Sequence, residues 1–279
     1  MSGDRSVGEA TSDQGMGGLK SSQFEPVLTA LIEPWLGKSC IPVVACGMVG
    51  SAQGWVEAPY LTVPIQPLGD HFVRAECDDP RFSVHVIPWI SQSNPPDVMR
   101  GEETQIAGFL AVEPGFDGVI CLPGTHTKWA QISAGEVVSF RTFMTGELFR
   151  LISTRSVLRH SVGDGWDADA FASAVSDTVA RPETFASLMF RIRADDLLNG
   201  AAPDIARSRL SGLLIGAELA AARPYWLGQR IALIGSHRLA AHYATALDRQ
   251  GLQVEIADAT AVTLACLGVA FDRIRETTK

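Results

Sequence analysis

Apolar residues begin to recur with a period only at Phe24. Before it, residues 1–22 are rich in Gly, Ser and Asp and show no hydrophobic repeat, which predicts a poorly ordered segment. From Phe24 onward, Val27, Leu28, Leu31, Ile32, Trp35 and Leu36 fall at helical spacing, with Pro26 near the first turn and Gly37 after the last. That is the pattern of an amphipathic core helix. The apolar run 40–46 (CIPVVAC) suits a buried strand and opens at once into the glycine-rich loop GMVGSAQGW. Strand signals recur at 60–65 and 82–87. The polar, proline-containing stretch 91–98 (SQSNPPDV) has the composition of a linker, so a domain boundary is expected between 97 and 98.

In the second half, residues 100–105 (RGEETQ) open a helix toward Val112. Three strands are expected at 119–122, 128–132 and 137–143, the last two joined by the turn 133–136, which makes a β-meander. Helical periods return at 167–179, 182–198 and 205–222, where Gly212 and Gly216 stand four apart and mark close packing against a neighbouring helix. The tail alternates strand (231–234), helix (237–249), strand (252–256) and helix (260–274), the signature of α/β layering on a mostly parallel sheet. The expected organisation is an N-terminal segment 1–22, a domain 23–97 and a domain 98–279.

Composition narrows the function classes. The 279 residues are 46% hydrophobic, enough for one large core or two smaller ones. A net charge of −8 with no basic run argues against nucleic acid and anionic membrane surfaces as partners. No stretch approaches the roughly 18 apolar residues of a membrane span, and the N-terminus has no apolar core of a secretory signal, so a cytoplasmic location is expected. The five cysteines are scattered without a C-x-x-C pair and read as reduced core residues.

Three glycine-marked turns follow apolar strands: 46–50 (CGMVG), 123–128 (PGTHTK) and Gly235-Ser236. Glycine at such a position lets backbone N–H groups approach an anion, so each is a candidate phosphate or carboxylate cradle. None is a Walker loop or a G-x-G-x-x-G fingerprint. The PGTHTK turn adds Thr125, His126, Thr127 and Lys128 to Gly124, a set suited to phosphate; it also reads as an ordinary hairpin turn capped by threonines. Glu102 and Glu103 offer a general base at a helix start, or two acids that complement the helix dipole. In 54–60 (GWVEAPY), Trp55, Glu57 and Tyr60 provide sugar-binding chemistry, or an aromatic anchor between strands.

Five blocks, CGMVGSAQGWVEAPYL, VMRGEETQIAGF, LPGTHTKWAQI, FRTFMTGELF and LSGLLIGAEL, occur in the order and spacing of the 2-dehydro-3-deoxygalactonokinases, and the chain resembles that family from about Ser12 to about Phe271. The resemblance implies a two-domain, actin-like (ribonuclease H-like) ATPase fold of α/β class with an interdomain cleft. It implies transfer of the ATP γ-phosphoryl group to the 6-hydroxyl of 2-dehydro-3-deoxy-D-galactonate in galactonate catabolism, with ATP and magnesium required. It assigns Glu102 or Glu103 as the catalytic carboxylate and Gly124, Thr125, His126, Thr127, Lys128, Gly235 and Ser236 to the nucleotide and its phosphates. Gly47, Met48, Gly50, Ser51, Trp55, Glu57 and Tyr60, together with Arg141, Thr142 and Glu147, would line the sugar-acid pocket. A homodimer stays open.

Complete members of that family begin with an apolar strand and an Asp-Trp-Gly hairpin turn that holds magnesium and the terminal phosphates. No counterpart precedes the match here, so a first hairpin of roughly two dozen residues is expected to be missing, with neighbouring strands left at an edge. Two other readings therefore stand beside the kinase: a non-catalytic sugar-acid-binding remnant, and a phosphohydrolase on the same fold.

Overall fold

The computed structural model describes residues 6–277. Residues 1–5 of the N-terminal segment lie outside that range; residues 6–15 carry no helix or strand, and 3-10 turns at Met16–Gly18 and Ser21–Gln23 lead into helix α1 (Phe24–Ile32). Pro34 has no N–H to donate back into α1, and the chain tightens there into a 3-10 turn at Glu33–Trp35. Strands β1 (Ile41–Ala45), β2 (Tyr60–Thr62), β3 (Val73–Ala75), β4 (Phe82–Val86), β5 (Trp89–Ser93) and β6 (Pro96–Met99) precede α2 (Glu102–Val112). Then come β7 (Gly118–Leu122), β8 (Thr127–Ser133), β9 (Glu136–Phe143), α3 (Thr145–Arg155), α4 (Ala168–Ala180), α5 (Phe185–Asn199), α6 (Pro203–Ala221) and α7 (Arg223–Trp226). The chain closes with β10 (Ile231–Gly235), α8 (His237–Asp248), β11 (Val254–Asp258) and α9 (Ala259–Thr277).

Two compact units result. Unit 1 holds the chain up to 116, residues 132–139 and the chain from 259; unit 2 holds 117–131 and 140–258. The break expected at 97 is therefore not where the chain divides. The segment 91–98 is no linker either. It is the paired part of a β5–β6 hairpin, with Ile90 opposite Met99 and Gln92 opposite Asp97, turning at Asn94-Pro95. Its polarity has a simple cause: Gln92 is buried with its amide bonded to the Pro95 carbonyl, while Ser93 and Pro96 are exposed around the turn.

In unit 1, β1 runs parallel to β4 in the sheet β1-β4-β3. Alternation along β4 buries Phe82, Val84 and Val86, which pack with Ala58, Ala75 and the α1 residues Leu28 and Ile32. No strand precedes β1 among the described residues, and β1 forms an edge whose five residues are all half-buried. Helices α2 and α9 cross so closely that a Cβ on Gly108 would lie 1.7 Å from the Val262 carbonyl oxygen.

Strand order in the five-stranded sheet is β11-β10-β7-β8-β9, with β10 parallel to both β11 and β7, as the alternating tail predicts. In unit 2, Gly212 and Gly216 on α6 allow α4 to approach, since Cβ atoms there would meet the carbonyl oxygens of Phe171 at 2.4 Å and Val175 at 2.8 Å. Trp129, Phe171, Val175, Ile215, Leu233 and Tyr243 form the core behind them.

Candidate active site

Unit 1 gathers the first group of expected residues. Gly47 leaves β1 with φ +77°, a left-handed conformation that favours glycine, and the 3-10 turn Gly47–Gly50 follows. Gly101 also has a left-handed φ (+119°), and it brings the start of α2 against this turn: its Cβ would lie 3.5 Å from Gly47 Cα. Glu102, half-buried, accepts the Arg100 backbone N–H at 2.9 Å. Glu103 has no exposed surface; it accepts the Gly101 N–H at 2.7 Å and the Thr104 hydroxyl. Burial pushes its carboxyl up to about 8, against the pull of those bonds, so it carries a proton at neutral pH.

Around that turn the expected sugar-binding residues divide. Tyr60 is exposed on β2 beside Trp89 of β5, ring centroids 5.2 Å apart, and the Trp89 indole N–H reaches the Gly47 carbonyl at 3.3 Å. Arg100, absent from the expected set, lies over both rings and donates its Nε–H to the Tyr60 hydroxyl. Met48 and Glu57 are exposed. Gly50 and Ser51 are buried, and Trp55 stacks on Phe24 with its N–H bonded to Val49, so these three shape and anchor the loop. Cys46 and Cys121 have thiols raised by burial, which fits strand-end packing rather than reactivity.

Unit 2 contains a cavity of about 330 Å³. The turn after β7 contributes Gly124 and Thr125, and α8 begins at its rim with Ser236 as N-cap, whose side chain makes no capping bond. The first turn of α3 packs onto the same loop: a Cβ on Gly146 would lie 2.2 Å from the Gly124 oxygen, and Glu147 N–H donates to the Thr125 carbonyl at 2.9 Å. Trp166 and His242 form a stacked wall, centroids 3.9 Å apart at 21°, and burial followed by the charges of Arg238 and Arg207 holds the His242 imidazole below its usual range. Arg150, Arg207 and Arg238 also line the space, and Arg207 Nε is a buried donor without a hydrogen-bond partner. An aromatic wall, three guanidinium groups, an open helix N-terminus and an orphaned buried donor fit a nucleotide with a phosphate tail.

Behind that cavity lies a buried carboxylate. Glu218 on α6 accepts from the Trp129 indole at 2.8 Å, the Tyr243 hydroxyl at 2.8 Å and the Thr145 hydroxyl. Thr127 Oγ1 lies 3.0 Å from the Tyr243 hydroxyl. Burial raises Glu218 to about 7 even though four hydrogen bonds pull the other way.

Of the expected phosphate corner, Gly124, Thr125 and Ser236 line the cavity. Thr127 and Lys128 are buried in β8 and do not; Thr127 belongs to the Glu218 network. His126 is exposed, its Nε2 2.6 Å from Glu147 Oε2. Gly235 ends β10 close to the Pro123 oxygen, and Arg141 and Thr142 lie on β9, all three off the cavity wall. Tyr243, Trp166, His242, Arg150 and Arg207 were not singled out from the sequence, because isolated aromatics and arginines on amphipathic helices carry no spacing signal. No group of three or more His, Cys, Asp or Glu side chains able to hold a metal occurs among the described residues.

Comparisons with known proteins identify the family. A protein of Rhizobium meliloti (strain 1021), named as a probable 2-dehydro-3-deoxygalactonokinase, is 37% identical across 95% of this chain and 89% of its own length. The 2-dehydro-3-deoxygalactonokinase of Escherichia coli (strain K12) is 34% identical across 90% and 85%. A crystal structure from Sinorhizobium meliloti, described as that of a 2-dehydro-3-deoxygalactonokinase protein, superposes with a TM-score of 0.90 at 36% identity, covering 96% of this chain and 91% of that one. The family model for 2-keto-3-deoxy-galactonokinase matches residues 1–270, so the likeness starts at residue 1 rather than near Ser12. The chain belongs to the 2-keto-3-deoxy-galactonokinase family.

Proposed function

We propose that this protein is a sugar-acid kinase that transfers the γ-phosphoryl group of ATP to the 6-hydroxyl of 2-dehydro-3-deoxy-D-galactonate. The observation that carries the reading is the unit 2 cavity, where the Gly124-Thr125 turn, the Ser236 helix start and the Trp166–His242 wall meet around about 330 Å³. Its aromatic wall suits a purine, and its backbone donors and arginines suit phosphates.

Chemically, O6 of the sugar acid attacks the γ-phosphorus, the bond to the β,γ-bridging oxygen breaks, and ADP leaves. The hydroxyl proton passes to a carboxylate. Glu102 is that base in our reading: it is accessible and sits at the α2 start, next to the Gly47 turn. Glu103 is enclosed and already protonated at neutral pH, so it cannot accept the proton; it ties down the α2 start through Gly101. Magnesium, when bound with ATP, supplies charge neutralisation on the phosphates. The Gly47 turn and Tyr60 take the sugar acid.

A coupled ADP-release assay tests the proposal. ADP release that depends on 2-dehydro-3-deoxygalactonate supports it. Binding of the sugar acid without turnover would favour a binding remnant, and phosphate release without the sugar acid would favour a phosphohydrolase.

A further inference from the structure

The substrate proposed above carries a carboxylate at the end of its chain opposite the accepting hydroxyl, and a site that selects acids over neutral sugars needs a fixed cation. In unit 1 the arginines next to carboxylates are engaged by them: Arg81 by Glu33 and Asp79, and Arg273 by Asp70. Arg100 differs. It is exposed, and no carboxylate among the described residues meets its guanidinium, although the chain has 31 acids. Its plane is nevertheless held: Cζ lies 4.8 Å from the Trp89 ring centroid and 5.6 Å from that of Tyr60, and Nε–H is committed to the Tyr60 hydroxyl. Stacking and that bond leave the outer Nη edge as the unspent part of the fork.

Position adds a second argument. Arg100 precedes Gly101, whose backbone meets the Gly47 turn, and its own N–H holds the Glu102 carboxylate. The cation and the proposed base therefore issue from one short stretch of chain, Arg100-Gly101-Glu102, against the same loop.

We propose that Arg100 is the specificity-determining residue that binds the substrate carboxylate, through a bidentate pair made by its Nη edge. Tyr60 and Trp89 are the positioning residues that aim it. This rests on the sugar-acid kinase reading. A flexible, solvated cation would be worth little here, whereas a pre-oriented guanidinium loses less entropy on pairing.

The test compares 2-dehydro-3-deoxygalactonate with its methyl ester, which removes the charge and little else, in the wild type, Arg100→Met and Arg100→Lys. The preference for acid over ester, expressed as a ratio of kcat/KM, should fall about a hundredfold in Arg100→Met, the size of a lost charge-assisted pair, mostly through KM. Arg100→Lys should fall between the two, because charge remains without the planar fork. An acid-to-ester ratio in Arg100→Met equal to that of the wild type overturns the assignment. Calorimetric binding of the acid without ATP separates this from the kinase reading. If the wild type binds the acid and Arg100→Met does not, the assignment stands even if no phosphoryl transfer is seen. If Arg100→Met binds it as tightly as the wild type, the assignment falls even if the enzyme is an active kinase.

Discussion

The Tyr243 hydroxyl donates to Glu218 Oε2 at 2.8 Å, which ties α8, one wall of the unit 2 cavity, to a carboxylate buried in α6. Thr145, at the start of α3, binds the same oxygen, and Trp129 holds the other. Glu218 thus joins α8, which carries His242 of the stacked wall, to α3, whose first turn packs on the Gly124 turn. Replacing it with alanine would orphan three buried donors. Each such donor costs about 1–3 kcal/mol, so Glu218→Ala should lose about 3 kcal/mol or more in denaturant unfolding. Glu218→Gln, which keeps the shape and one acceptor oxygen, should lose clearly less. Equal losses in the two variants would contradict this, because the shape and the one acceptor oxygen kept in Glu218→Gln would then contribute nothing.

Stability should also fall as pH rises through the neutral range. Glu103 and Glu218 are lifted by burial from 4.5 to about 8 and about 7, so the folded protein holds their protons more tightly than the unfolded chain does. Their contribution is complete below about 4.5 and is lost as pH rises through about 7 for Glu218 and about 8 for Glu103. The thermal midpoint should decline between pH 5 and pH 8.5 by differential scanning fluorimetry, and less steeply in Glu103→Gln. A slope unchanged in that variant would contradict the raised carboxyl.

The two glutamates at the α2 start should separate kinetically. Glu102→Gln should lower kcat at least about a hundredfold, the usual loss when a general base is removed. Glu103→Gln mimics the protonated side chain and should change kcat by less than about fivefold, while Glu103→Ala should chiefly reduce stability. Steady-state kinetics of the three variants decide the matter; the reverse ranking would make Glu103 the base.

Nucleotide affinity should respond to the orphaned donor in the cavity. Arg207→Met keeps an unbranched apolar stem but removes the guanidinium, and with it Nε, the stacking on Phe149 (5.1 Å to the ring centroid) and the bond to the Gly163 carbonyl. It should raise the KM for ATP about tenfold, as expected for one hydrogen bond to a charged group, with little change in the sugar-acid KM. A larger change in the sugar-acid KM would remove the cavity from the nucleotide.

The sequence made much of this architecture legible. The helix at Phe24, the strand into Gly47, the meander around Gly124 and the parallel tail all follow from periodicity and glycine placement, and Gly212 and Gly216 mark the α4–α6 approach as expected. Helix α3 was not read from the sequence, because its apolar face is short: Phe149 and Ile152 pack half-buried against the α5–α6 core and Thr145 is its one buried residue. The β5–β6 hairpin looked like a linker because its turn is Asn-Pro and the residues nearest that turn, Ser91 to Ser93 and Pro96 to Asp97, are polar or proline. Local motifs pointed to Gly124, Thr125 and Ser236, which line the cavity, and to the Gly47 turn and Glu102, which the proposed reading assigns to the sugar acid and the base. They did not show that Thr125 lines the cavity while Thr127 is buried, or that Glu102 is half-buried while Glu103 is enclosed, since burial is set by the fold and not by the motif. The Glu218 network and the Arg100 cluster join residues tens of positions apart, where only folding reveals the pairing.

Phosphoryl transfer itself admits the most direct measurement. ATP labelled with oxygen-18 on the γ-phosphate is incubated with 2-dehydro-3-deoxygalactonate and the protein, and the products are followed by phosphorus NMR and mass spectrometry. The account predicts a single labelled phosphate monoester whose phosphorus couples to the two C6 protons. Label appearing in inorganic phosphate at the same rate with and without the sugar acid would contradict it.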